Sequence, residues 1–132
     1  MKKFFIGFAL LLGLSLFLVA CGGGGTASAT EVIDMLEGDG YVLEKRDDES
    51  MDYYQTNMVN DKYDLNVDVV ELYVGYVNGS ERWAEIIVLK DASQAEAFYD
   101  ELMIEDYPDR FVILKDNTVI LTFSSDTAGL FN

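Results

Sequence analysis

Apolar and polar positions along the chain switch between a period near two and a period near 3.6, and the switches mark the elements. Ser28-Ala29-Thr30-Glu31 places a glutamate three residues after a hydroxyl, which reads as a capping box. Val32, Met35 and Leu36 follow at helical spacing, and Gly38 and Gly40 stop that helix. Tyr41 to Lys45 (YVLEK) is a short strand, and Arg46 to Ser50 is a polar break. Met51, Tyr54, Met58 and Val59 fit one helical face, so the spacing predicts a helix over 51–63 with Asp48 as its cap. Leu65, Val67 and Val69 then alternate with polar residues, and Val70, Leu72, Val74 and Tyr76 alternate in the opposite phase. A slip of one residue moves apolar side chains to the other face of a sheet, so a bulge or strand break is expected between Val69 and Val70.

Asn78-Gly79-Ser80 reads as a hairpin turn; it also matches a glycosylation sequon, taken here as turn chemistry. The strand over 82–90 has Trp83, Ile87 and Leu89 on one side and Ala84, Ile86 and Val88 on the other. Asp91 caps the clearest helix, whose apolar stripe is Ala92, Ala95, Phe98, Tyr99, Leu102 and Met103. Pro108 lies beyond its end. Residues 111–123 form a hairpin, FVILK and TVILTF around Asp116-Asn117, and the tail adds a short helical turn. The order α-β-α-β-β-α-β-β, with most strand junctions reading as hairpins, predicts an α+β fold: an antiparallel sheet of about five strands with two to three packed helices.

The last three strands are apolar on both faces. Val112, Leu114, Val119, Leu121 and Phe123 fit one face, and Phe111, Ile113, Ile120, Ile87 and Leu89 fit the other. Either the first two helices cover that second face, or it is open. An open apolar face of this size would be an interaction surface. Tyr73, Tyr76 and Trp83, which flank one hairpin, are added to it as a candidate aromatic binding surface.

The N-terminal segment changes the picture. Met1-Lys2-Lys3 precedes an almost wholly apolar run over 4–19, too short for a comfortable membrane span and with no basic residue after it until Lys45. That is the pattern of a removed secretory signal. Leu18-Val19-Ala20-Cys21 resembles the lipobox of bacterial lipoproteins. The resemblance implies cleavage before Cys21 and acylation of its thiol, which would anchor the chain to a bilayer on the extracytoplasmic face. Two or more acyl chains hold a protein stably, whereas one binds marginally. On this expectation residues 1–20 are a cleaved signal, 21–29 are the lipidated cysteine with a flexible Gly-rich linker, and 30–132 are one α+β domain. The layout of the globular part is also similar to small lipoproteins of low-GC Gram-positive bacteria, a likeness that implies no activity.

Loss of residues 1–20 would remove two lysines and no acid, leaving 7 Lys+Arg against 24 Asp+Glu, a formal net charge of −17. So acidic a chain lacks the basic patch that nucleic acid needs, and an anionic lipid surface would repel it. Its excess acid fits solubility best, with a cationic partner or weak divalent-ion binding as the sharper reading. The chain has no histidine and one cysteine, which excludes Ser-His-Asp triads, Cys-His dyads and zinc sites built on His or Cys. Neither cofactor nor metal is expected. Glu37-Gly38-Asp39-Gly40 fails the spacing of a calcium loop, and Asp47-Asp48-Glu49 reads as a solvated turn. Glu105-Asp106 with Asp109 are the acids considered for acid/base work. The expected function is a non-enzymatic, membrane-anchored module that binds an envelope protein or small ligand. The alternatives are a small carboxylate-dependent envelope hydrolase and an ion-responsive module.

Overall fold

The computed structural model describes residues 24–105 and 107–131. The expected signal, Cys21 and Asp106 lie outside the described residues. Helix α1 spans Gly24–Gly38, strand β1 Tyr41–Lys45, and helix α2 Asp48–Tyr54, which continues as a π-helix over Gln55–Lys62. Strands β2 (Val69–Val77) and β3 (Trp83–Leu89), helix α3 (Ala92–Ile104), strands β4 (Phe111–Lys115) and β5 (Thr118–Thr122) and a short helix α4 (Ser125–Gly129) complete the chain. The five strands form one antiparallel sheet in the order β1-β2-β3-β5-β4. This is the expected α+β class, with the tail supplying its helical turn.

Several local features follow from the residues that signalled them. The register of β2 against β3 shifts between Val69 and Glu71, where the alternation changes phase. Val69 and Leu72 are both buried on the same face, and the extra residue, Val70, is exposed. Asp91 caps α3 by accepting from the Gln94 backbone N–H at 2.8 Å. Ala95, Phe98, Tyr99 and Leu102 of its stripe pack into the core, while Ala92 and Met103 at the stripe's ends are exposed. Two caps differ from expectation. Asp47, not Asp48, caps α2, accepting from the Ser50 N–H at 2.8 Å. α1 begins at Gly24, so residues 24–29 of the expected linker are helical and the capping-box residues lie inside the helix.

Helices cover the sheet on both sides. On one side α2, the π-helix and α3 bury Val69, Leu72, Ile87, Leu89, Val119 and Leu121 beneath Val59, Tyr63, Phe98 and Leu102. On the other, α1 and the C-terminal residues Leu130 and Phe131 cover Tyr41, Ala84, Ile86, Val88, Ile113 and Ile120. One expectation is corrected here, and one open alternative is decided. Ile87 and Leu89 do not share a face with Ile113 and Ile120, because Ile87 stands opposite Val119 and Ile86 opposite Ile120. The second face is covered, by the first helix and not by the first two: α1 lays Ala29, Val32 and Leu36 on it, and Ile86, Val88 and Ile120 are fully buried there, while Ile87 and Leu89 are fully buried on the first face. Phe111, at the start of the edge strand β4, keeps 38% of its surface exposed.

Arg82 ties the C-terminal end to the first turn. Its guanidinium pairs with Asp39, reaches Thr127 Oγ1 at 2.9 Å and lies 5.4 Å from the centre of the Tyr41 ring. The Tyr41 hydroxyl completes the cluster with Thr127 Oγ1 at 2.8 Å.

Candidate functional site

Alternation along β3 puts Trp83, Glu85, Ile87 and Leu89 on one face. Ile87 and Leu89 run on into the α3-side core, but Glu85, opposite Val74 of β2 and Leu121 of β5, carries a carboxylate into the same row. It is half-buried. Burial raises its pKa, and the Tyr54 hydroxyl, which offers it a hydrogen bond, works against the rise. Tyr54 is pushed well above the ordinary phenol range, first by burial and then by the Glu85 charge, so it stays a donor.

Glu85 and Tyr54 form the shared wall of two concavities. The smaller, about 240 Å³, is lined by Met58, Lys62 and Tyr63 from the π-helix side and by Trp83, Leu121 and Phe123 from the sheet, with Tyr107 and Arg110 closing it. Tyr107 and Phe123 stand at its mouth, each about half exposed. The Trp83 and Phe123 rings are 6.0 Å apart at their centres. The larger, about 600 Å³, opens towards the start of α2 and is lined by Arg46, Asp47, Glu49, Tyr53, Leu72 and Val74. A π-helical segment is costly for a chain to keep and often lies beside a functional site; here it supplies Met58 and Lys62. The segment is clamped by Gln55, whose amide donates to the Val67 carbonyl and accepts from the Val69 N–H, both at 2.8 Å.

The cations of the smaller concavity already have a partner. Glu105 lies 3.5 Å from Lys62 Nζ and 3.3 Å from Arg110 Nη1, and accepts from the Tyr63 hydroxyl at 2.9 Å. Arg110 also donates to the Leu102 carbonyl at 2.7 Å and stacks over Tyr107 at 4.7 Å. Burial works to raise the Glu105 pKa, but the bonds from Tyr63 and Arg110 and the charge of Lys62 together hold it below the ordinary carboxylate range. Arg46 pairs with Glu44 at 3.1 Å. Among the described residues no ion pair reaches Glu85.

The residues singled out from sequence are therefore only partly brought together. Trp83 lines the groove, and Tyr76 is its cross-strand neighbour on that face. Tyr73 packs on the opposite side with Ile113 and Ile120. Ile87 and Leu89 are core beneath the groove, not surface. Of the acids, Asp39 is committed to Arg82, Asp47 is a helix cap, and Asp109 occupies a left-handed turn (φ 65°), a conformation that Asp tolerates better than most residues. Glu85 was missed, although the alternation that placed Trp83 and Ile87 on one side puts Glu85 between them. Among the described residues there is no group of three or more acids or thiols arranged to hold a metal ion, and no helix is long and apolar enough to cross a membrane. Comparison of the chain with protein-family models, with curated proteins and with solved structures yields no match.

Proposed function

We propose that this chain is a lipid-anchored, extracytoplasmic binding module without enzymatic activity, and that it holds its ligand in the aromatic groove at Glu85. The observation that carries the binding reading is a carboxylate without an ion pair, set in a concave wall of aromatic side chains. Such sites, mostly apolar with a few convergent polar groups, are the usual form of small-ligand pockets. The anchor rests on Leu18-Val19-Ala20-Cys21 after a short apolar segment. A helix starting at Gly24 would leave Cys21 to Gly23 as the only residues between acyl chains and folded elements. The domain would then ride close to the lipid.

Fragment screening by NMR on the acylated chain in neutral-detergent micelles tests the site. Ligand-induced shifts are expected to gather on the Trp83 indole and on the amides of Glu85, Arg110 and Phe123. Hits spread evenly over the surface would contradict the assignment.

One observation favours the hydrolase as a second reading: Glu85 has a raised pKa and shares the larger concavity with Asp47 and Glu49, as an acid/base pair would require. It predicts release of new reducing ends from isolated cell-wall glycan, lost in Glu85→Gln. No release by the wild-type protein would remove it.

A further inference from the structure

Glu85 poses a problem of charge. A half-buried carboxylate in an apolar row costs free energy unless something pairs with it. Among the described residues its partner is the Tyr54 hydroxyl. The two cations within the smaller concavity, Lys62 and Arg110, share one carboxylate, Glu105, and Arg46 in the larger one pairs with Glu44. Glu85 itself is left without an ion pair among the described residues, although Lys62 and Arg110 line the same concavity. Its walls suit one kind of cation in particular. Lys62 already lies over the Tyr63 ring and Arg110 over one face of Tyr107, which leaves Tyr54, Trp83, Phe123 and the other face of Tyr107 as rings that attract cations able to shed water easily. A hydrated metal ion would need several oxygen ligands, and the groove offers one carboxylate and phenols. A volume near 240 Å³ falls below the range of drug-sized pockets and fits a head group. The overall acidity of the chain would draw a cation towards it.

We infer that the groove binds an organic ammonium group, with Glu85 as its counterion and Trp83, Tyr107 and Phe123 as its aromatic walls. This rests on the binding reading above and names its ligand class. A quaternary ammonium head and a primary alkylammonium share the chemistry. The first gains more from the rings, and the second adds hydrogen bonds to Glu85 and Tyr54.

Trp83 is the single tryptophan of the chain and stands in the wall, so its emission reports occupancy. The acylated protein in neutral-detergent micelles is titrated with choline, with n-butylammonium, with 3,3-dimethylbutan-1-ol (the neutral isostere of choline) and with N-acetylglucosamine. Saturable change with one or both ammonium ions, and at least about tenfold weaker response to the isostere, is expected. Preference for choline would identify a quaternary ligand, and preference for butylammonium a primary one. Glu85→Gln keeps the shape and should lose about tenfold or more in ammonium affinity, while Tyr107→Ala, at the exposed mouth, should weaken choline more than butylammonium. Equal binding of the isostere, unchanged affinity in folded Glu85→Gln, or response to the sugar alone would overturn the ammonium assignment and leave the groove as a binding site. Silence towards all four compounds would overturn both.

Discussion

At the scale of single residues, Glu85, which lines the groove, and Glu105, which pairs with two cations of its wall, push stability in opposite directions with pH. Glu85 has a raised pKa in the fold, so the folded chain holds a proton that the unfolded chain releases. Its effect is that stability falls as pH rises from the ordinary carboxyl range through the raised value. Glu105 has a lowered pKa, so its contribution is present above the unfolded value and is lost as pH falls through the folded one. Glu85→Gln removes the first effect alone. Thermal melts at about pH 5 and about pH 7.5 should show the variant more stable than wild type at the higher pH, with the gap closing at the lower. A variant less stable at both would mean that Glu85 is a structural partner and not a strained one. Arg110→Ala should act the other way. It takes from Glu105 one of three partners and from the Leu102 carbonyl one of two donors, and should cost about 1.5–3 kcal/mol in denaturant unfolding, the scale of hydrogen bonds to a charged group. Glu85 was legible in the sequence as the one charge in the row Trp83-x-Glu85-x-Ile87-x-Leu89. Reading strands for their apolar residues passes over it, and its lack of an ion pair depends on where Lys62 and Arg110 are spent, which only three-dimensional packing decides.

At the scale of elements, the phase change at Val69–Val70 fixed the bulge, since only an extra residue can put both Val69 and Leu72 into one core. Deleting Val70 would force one of them outward and is expected to lower the melting temperature more than Val70→Thr, which leaves the count intact and alters an exposed position; equal effects would contradict the role of the bulge. The π-helix was not legible. Its inward residues Tyr54, Met58, Val59 and Tyr63 satisfy a helical pattern of either pitch, and the wider turn shows only in bonds such as Tyr63 N–H to the Met58 carbonyl at 2.9 Å. Gln55 holds that segment against the bulged strand. Gln55→Ala leaves the Val67 carbonyl and Val69 N–H without their partner and should cost about 1–3 kcal/mol. Gln55→Glu, which can accept but not donate, should fall between the two. The start of α1 was hidden by glycine's poor helix propensity, which set the boundary at Ser28.

At the scale of the whole molecule, the class of fold followed from hairpin-like junctions, whereas the pairing of faces did not. β3 lies between β2 and β5, so a partner distant in sequence decides which of its two apolar rows meets Val119 and which meets Ile120. Both rows are apolar and the alternation suits either choice. That one ambiguity left open whether the second face is covered, and its resolution moves the candidate site from the face of the sheet to the groove at its end. The proposed tether would give this groove its setting. An acidic domain held near a bilayer by acyl chains, with Glu85 free of ion pairs, would sample cationic small molecules at the envelope, and its own charge would keep it from lying flat on anionic lipid. Intact mass and detergent-phase partitioning of the protein from its native membrane, beside Cys21→Ala, test that setting most directly. The account predicts a detergent-phase protein that lacks residues 1–20 and carries acyl mass, with the variant unacylated and lost from that phase. A wild-type chain that keeps residues 1–20, or that partitions into water without acyl mass, would contradict it.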